Sequence, residues 1–135
     1  MSMKKKSSGA IPIRAVDFVM YCARRPKETR QWYRKMFGFK RGEEWNDFWT
    51  EFNTEPVTLC LNGPTRKKDP EWDWLGPAAA AFAVRDIHQA AAVCRKRKVK
   101  MLKGPVETPV CWMLFIEDPE GNRIVLHQRK DGTAG

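Results

Sequence analysis

The side chains that could do chemistry in this 135-residue chain are few. They are two histidines, His88 and His127, four cysteines, Cys22, Cys60, Cys94 and Cys111, and a scatter of carboxylates. The cysteines are widely spaced and form no CxxC pair, so neither a zinc site nor a disulfide framework is expected. All four lie in apolar stretches and read as free, mostly buried thiols of a reducing cytoplasm. Cys60 or Cys22 could act as a nucleophile only beside a base that the sequence does not place. Glu51 close to Trp49, or His127 paired with Trp112, could serve as an acid or base if burial shifted its pKa. His88, among the early residues of a helix, reads as a surface residue. There is no ordered Ser–His–acid set, nucleophile elbow or glycine-rich phosphate loop. Six tryptophans are many for this length, and several are expected to line a cleft rather than fill a core.

The elements that must position these groups read as one unit written twice. A β-rich stretch, Arg14–Cys22, is broken by Pro26, which suits the first turn of a helix. Trp32, Tyr33, Met36 and Phe37 then form one helical face, and Gly38 ends it. Strands follow around Phe39–Glu44, Asp47–Phe52 and Val57–Leu61. After a polar stretch the pattern returns. It runs through a strand over Ala78–Val84, a helix carrying Ile87, Ala90, Ala91, Val93 and Cys94, and strands around Lys100–Lys103, Val110–Glu117 and Asn122–Gln128. Asp118-Pro119-Glu120-Gly121 is a tight turn between the last two. An offset of 61 sets Tyr21 on Phe82, Arg24 on Arg85 and Arg34 on Arg95, and an offset of 67 sets Leu59 on Leu126. The expected organisation is a flexible basic tail over 1–13 and a single domain over 14–131. Its first module spans about 14–62, its linker 63–76 and its second module about 77–128. The class is α+β.

Three strings carry a resemblance. Thr29-Arg30-Gln31-Trp32-Tyr33-Arg34-Lys35-Met36-Phe37-Gly38-Phe39 is similar to the S-x-x-F-Y-x-x-x-L-G-F helix of the vicinal oxygen chelate superfamily. Ala81 to Ile87 resembles its F-x-V-x-D-I strand, and Asp118 to Ile124 its D-P-x-G-N-x-I turn. The superfamily contains glyoxalase I, extradiol dioxygenases, fosfomycin-modifying enzymes and bleomycin-resistance proteins. The resemblance implies paired βαβββ modules that curve a mixed sheet around a central cavity, with helices outside. It also implies a homodimer. Superfamily enzymes hold a divalent metal with four side chains, one from the first and fourth strand of each module. Those positions fall here on Phe18, Thr58, Ala79 and Val125, which offer one hydroxyl between them. A catalytic metal needs about three protein ligands, so no metal and no cofactor is expected. The alternative is a metal-dependent lyase or dioxygenase with a non-standard ligand set built on His127, with partners such as Glu51 or Cys60.

Strand alternation supplies the expected cavity wall. Phe18, Met20 and Cys22 face in from the first strand, Thr58 and Cys60 from the fourth, and Ala79, Ala81 and Ala83 from the fifth. A four-residue loop at Asn53–Pro56 would set Glu51 opposite Thr58 and Trp49 opposite Cys60. Pairing Glu117 with Asn122 would set Trp112 opposite His127, Leu114 opposite Val125 and Ile116 opposite Arg123. The expected ligand-binding set is therefore Phe18, Trp49, Glu51, Thr58, Cys60, Trp112, Leu114, Arg123 and His127.

Charge sorts by element. Residues 23–41 carry eight basic side chains and one acid, and residues 85–103 carry seven and one, within a net charge of +9. Around the expected cavity Glu43, Glu44, Asp47, Glu51, Glu55, Glu71 and Asp73 are acidic, which favours a cationic or aromatic small molecule. Basic helices are usually solvated faces, and no nucleic-acid motif accompanies them. No apolar run reaches the roughly 20 residues that span a bilayer, and the basic, Ser-rich start has no apolar stretch behind it. The expected protein is cytoplasmic and binds a small molecule without metal, sequestering a compound such as an antibiotic; no nucleic acid or membrane partner is expected.

Overall fold

The computed structural model describes residues 10–40, 42, 48–63 and 77–135. Among these residues seven strands form one curved mixed sheet with two helices, an α+β fold. In chain order the elements are β1 (Ala15–Cys22), α1 (Pro26–Phe37), β2 (Trp49–Phe52), β3 (Thr58–Asn62), β4 (Ala78–Ala83), α2 (Ile87–Lys96), β5 (Met101–Glu107), β6 (Cys111–Glu117) and β7 (Arg123–Arg129). The spatial order is β2-β3-β1-β4-β7-β6-β5. β1 pairs with β3 in parallel, and β4 pairs with β7 in parallel. The antiparallel β1–β4 pair joins the two halves at the centre. Of the strand expected around Phe39–Glu44, Phe39, Lys40 and Gly42 are described. Lys40 O accepts from Asn53 N (2.9 Å) and Gly42 N donates to Glu51 O (2.8 Å), alternating as in an antiparallel ladder.

Each helix follows from local chemistry. Pro26 opens α1 and Gly38 closes it in the left-handed conformation (φ 64°), its N–H bonding Arg34 O. At α2 the Asp86 carboxylate caps the N–H groups of His88 and Gln89 at 3.0 and 3.1 Å. Gln128 on β7 accepts from Ile87 N (2.7 Å) and ties the helix to the sheet. Ile87, Ala90, Ala91 and Cys94 of α2 are buried with Val84, Leu114, Ile116 and Leu126, forming a core on the helix side of the sheet. The opposite, concave side has its own core of Met20, Cys60, Ala79, Ala81 and Val125.

One expectation changes here. The stripe Trp32, Tyr33, Met36 and Phe37 is not buried within the chain: Trp32, Met36 and Phe37 are each more than half exposed. Tyr33 meets Phe52 of the sheet at 5.6 Å between centroids, while Trp32 meets Tyr33 and Phe37, and Phe37 also meets Phe39 beyond the helix. The buried residue of α1 is Arg30, whose guanidinium donates to Thr50 Oγ1 (3.0 Å). Residues 1–9 of the expected tail lie outside the described residues; ahead of β1, Ile11 packs against the helix-side core and Arg14 N donates to Ala83 O (2.9 Å).

Candidate functional site

Register decides what faces the concave side. β2 pairs with β3 two residues away from the expected register, with Glu51 opposite Cys60 and Trp49 opposite Asn62. A slip of two preserves the face, so Trp49, Glu51, Thr58 and Cys60 still point into the hollow with Phe18. The last hairpin slips by one. Glu117 pairs with Arg123, so Met113 rather than Trp112 opposes His127, and Phe115 opposes Val125. A slip of one turns every β6 side chain over. Trp112 and Leu114 therefore belong to the helix side, a correction to the expected wall. Leu114 is fully buried in the core under α2, and Trp112 meets His88 edge-on at 4.7 Å and lies 5.7 Å from Lys130 Nζ. Cys111 and Met113 take their places in the hollow. Arg123 is not among the lining residues; it is ion-paired with Glu117 and donates to Gly121 O at 2.9 Å. Of the expected acidic group, Glu43, Glu44, Asp47, Glu71 and Asp73 lie outside the described residues, and Glu51 lines the hollow.

The hollow has a volume of about 470 Å³. One wall is aromatic: Phe48, Trp49 and Phe18, the last two edge-to-face at 5.8 Å. The Trp49 indole N–H donates to Glu51 Oε2 at 2.9 Å, which satisfies it and leaves its faces apolar. Phe18 also meets the His127 ring edge-on at 5.3 Å.

The polar wall is built on a bulge. On β1 the pairing with β4 jumps from Val16 to Phe18, leaving Asp17 as the extra residue. A bulge re-aims a side chain that simple alternation would send to the other face. Asp17 lines the hollow together with its neighbour Phe18, and its carboxylate is fully buried. One oxygen lies 2.6 Å from His127 Nδ1; the other accepts from Gly135 N at 2.7 Å and lies 3.5 Å from Arg129 Nη2. The carboxylate thus fixes the His127 ring and directs Nε2 away from itself. Cys111 is the diagonal neighbour of His127 across the β6–β7 pair, on the same wall of the hollow, and its sulfur lies 3.1 Å from Thr108 Oγ1.

Burial alone would push the Cys111 thiol up and the His127 imidazolium down. For Cys111, bonds to His127 and Thr108 and the charges of His127 and Lys130 reverse this, and the thiol pKa falls below its ordinary value. For His127, the bonds to Cys111 and Asp17 outweigh burial and the imidazole pKa is raised. The other three cysteines go the opposite way. Burial raises Cys60, with Glu51 adding to it, and burial raises Cys22 and Cys94. Asp17 and Cys111 are what the sequence reading missed in this site. The bulge hid the first, and the one-residue slip hid the second.

The family model described as Glyoxalase/Bleomycin resistance protein/Dioxygenase superfamily matches residues 15–126. The chain belongs to this superfamily. Solved structures agree on the fold. A methylmalonyl-CoA epimerase from Streptomyces coelicolor superposes with a TM-score of 0.72 at 22% identity, covering 92% of this chain and all of that one. A methylmalonyl-CoA epimerase from Mycobacterium tuberculosis gives 0.67 at 17% identity, covering 86% and 88%. A protein described as an NAD-dependent benzaldehyde dehydrogenase from Legionella pneumophila gives 0.67 at 13% identity, covering 84% and 98%. Comparison with curated protein sequences finds no match.

The superfamily's metal does not fit these residues. Phe18 and Thr58 are paired neighbours that line the hollow, while Ala79 and Val125 are buried with Ala81 in the concave-side core. These are hydrocarbon apart from one hydroxyl. His127 is no substitute, because Asp17 takes Nδ1 and its other side-chain partner is the Cys111 thiol. Among the described residues no three His, Cys, Asp or Glu side chains are grouped to hold an ion.

Proposed function

We propose that this protein binds an aromatic or cationic small molecule in the concave hollow without a metal, in the manner of a sequestering protein. The observation that carries the reading is the aromatic wall of Phe18, Phe48 and Trp49, in a hollow to which the superfamily's metal positions contribute only Phe18 and the Thr58 hydroxyl. A volume of about 470 Å³ falls in the ordinary range for a small-molecule site. Glu51 supplies negative charge beside the tryptophan, which suits a cation lying on an aromatic face.

The resemblance adds a homodimer to this proposal, and the half-exposed Trp32, Met36 and Phe37 on α1 are apolar surface for a second copy. The compartment we assign is the cytoplasm, where Cys111 stays a thiol. Among the described residues no helix is long and apolar enough to cross a membrane.

Calorimetric titration with a panel of aromatic cations and neutral aromatics, beside native mass spectrometry of the purified protein, tests the reading. Trp49→Ala should weaken a bound aromatic compound about tenfold, the loss of one or two good ring contacts. Unchanged binding in Trp49→Ala, with the circular dichroism spectrum preserved, would remove the hollow as the binding site.

A further inference from the structure

A sequestering pocket does not require the arrangement at its polar end. Cys111, His127 and Asp17 come from β6, β7 and the β1 bulge, and all three line the same hollow. In the hairpin register Met113 opposes His127 and Cys111 opposes Arg129, so Cys111 is the diagonal neighbour of His127 on one face. Asp17 lies 2.6 Å from Nδ1 of that histidine and Thr108 Oγ1 lies 3.1 Å from the sulfur. A carboxylate that orients an imidazole, with a thiol beside it on the same face of the hollow, is the order of parts that activates a nucleophile.

We propose that Cys111 is a nucleophile, activated by His127 and Asp17, that adds to α,β-unsaturated carbonyl compounds held in the hollow. The proposal rests on the reading of the hollow as a small-molecule site. His127 Nε2 takes the thiol proton. The sulfur forms a bond to the β carbon, and the alkene π pair moves to the α carbon and carbonyl oxygen as an enolate. The imidazolium then returns the proton to the α carbon. The sum is S–H added across C=C, with no net oxidation and no co-reactant. Arg129, opposite Cys111 and lining the same hollow, places positive charge where the enolate develops.

Acyl transfer fits less well. The backbone N–H groups of Val110 and Cys111 both donate to Thr108 Oγ1, at 3.2 and 3.0 Å. The amides nearest the sulfur are therefore committed and do not form an oxyanion hole. Addition to an alkene needs a soft sulfur nucleophile and a proton carrier, which are present.

The test uses full-length protein and three probes. Benzylacetone, which is saturated, reports reversible binding and so tests the hollow alone. Benzylideneacetone, its unsaturated counterpart, reports the addition by intact-mass analysis and peptide mapping. Iodoacetamide, too small to depend on the aromatic wall, reports thiol reactivity against pH at all four cysteines. The charged groups facing Cys111 and His127 in this profile are Asp17, Glu51, Arg129, Lys130 and Asp131.

The expected result is one benzylideneacetone adduct, on Cys111, absent in Cys111→Ser. Iodoacetamide should label Cys111 before Cys22, Cys60 and Cys94. His127→Gln should slow labelling roughly a hundredfold at neutral pH and move the profile to higher pH, while Asp17→Asn does so in part. Labelling of Cys111 no faster than of Cys22, or a profile unmoved in a folded His127→Gln protein, overturns the proposal whether or not benzylacetone binds.

Discussion

Asp17→Asn is the most informative single change because it keeps shape and removes charge. The native carboxylate is fully buried and touches His127 Nδ1 at 2.6 Å, Gly135 N at 2.7 Å and Arg129 Nη2 at 3.5 Å. An amide oxygen can keep the Gly135 bond. It cannot keep the charge-assisted bond to His127, worth about 1.5–3 kcal/mol. The Arg129 contact is longer and partly solvated, so it adds less than 1 kcal/mol. We therefore expect Asp17→Asn to lose about 2–3 kcal/mol of unfolding free energy near neutral pH.

The pH dependence fixes the cause. His127 has a raised pKa in the folded protein, with Asp17 among the reasons. Stability from that shift is present in full below the ordinary imidazole range and is lost as pH rises through the folded value. The deficit of the variant should thus be largest near about pH 6 and shrink toward about pH 9. Urea unfolding of both proteins across this range, with the His127 ring titrated by nuclear magnetic resonance, measures it. A deficit that grows with pH, or a His127 midpoint unchanged in the variant, would refute the coupling between these two residues.

Other outcomes follow from the same coordinates. Trp112→Ala should cost about 2–4 kcal/mol in chemical denaturation but leave ligand affinity unchanged, because the indole packs on the helix side against His88; a large drop in affinity would restore it to the hollow. Nickel, manganese or zinc, and a chelator, should leave the melting temperature in place, whereas a chelator-sensitive rise would reveal an ion held by the native state. Gly104→Ala should cost about 1–3 kcal/mol, since Gly104 has φ 112° and an added Cβ would sit 2.8 Å from Met113 O beneath the pocket floor; equal stability would show that β5 and β6 yield freely there.

The sequence was most legible where a periodic pattern and local chemistry agreed. The helical spacing of Ile87, Ala90, Ala91, Val93 and Cys94 predicts α2, and the structure has it, with Asp86 as its cap. The Asp118 turn forms as its residues require, with Asp118 accepting from Glu120 N and Asn122 N at 2.9 Å. The site was less legible because faces depend on register, and register depends on loop length. An error of two residues at the β2–β3 turn cost nothing, since Trp49, Glu51 and Cys60 kept their face. An error of one residue at the Asp118 turn exchanged Trp112 and Leu114 for Cys111 and Met113. The tight turn was recognised, but not that pairing begins at Arg123 rather than Asn122, whose side chain is bonded to Asp118.

The β1 bulge accounts for why the chemistry collects at one end of the hollow. The two halves of the sheet repeat each other, β1 beside β3 and β4 beside β7, and a central ion would be served by both halves equally. Here the centre has become Phe18, Ala79, Ala81 and Val125, and an uncompensated charge among them would be costly. Asp17 reaches the hollow because the β1 register shifts between Val16 and Phe18. Its carboxylate is then buried and must be paired, and His127, Arg129 and the Gly135 amide, all beyond the matched superfamily region at residue 126, supply the partners. Deleting Asp17 should restore regular β1–β4 pairing, leave His127 without its anion and raise the Cys111 thiol toward the buried behaviour of Cys60. A deletion of Asp17 that keeps the fold yet leaves iodoacetamide labelling of Cys111 as fast as before would show that the bulge has no part in the site.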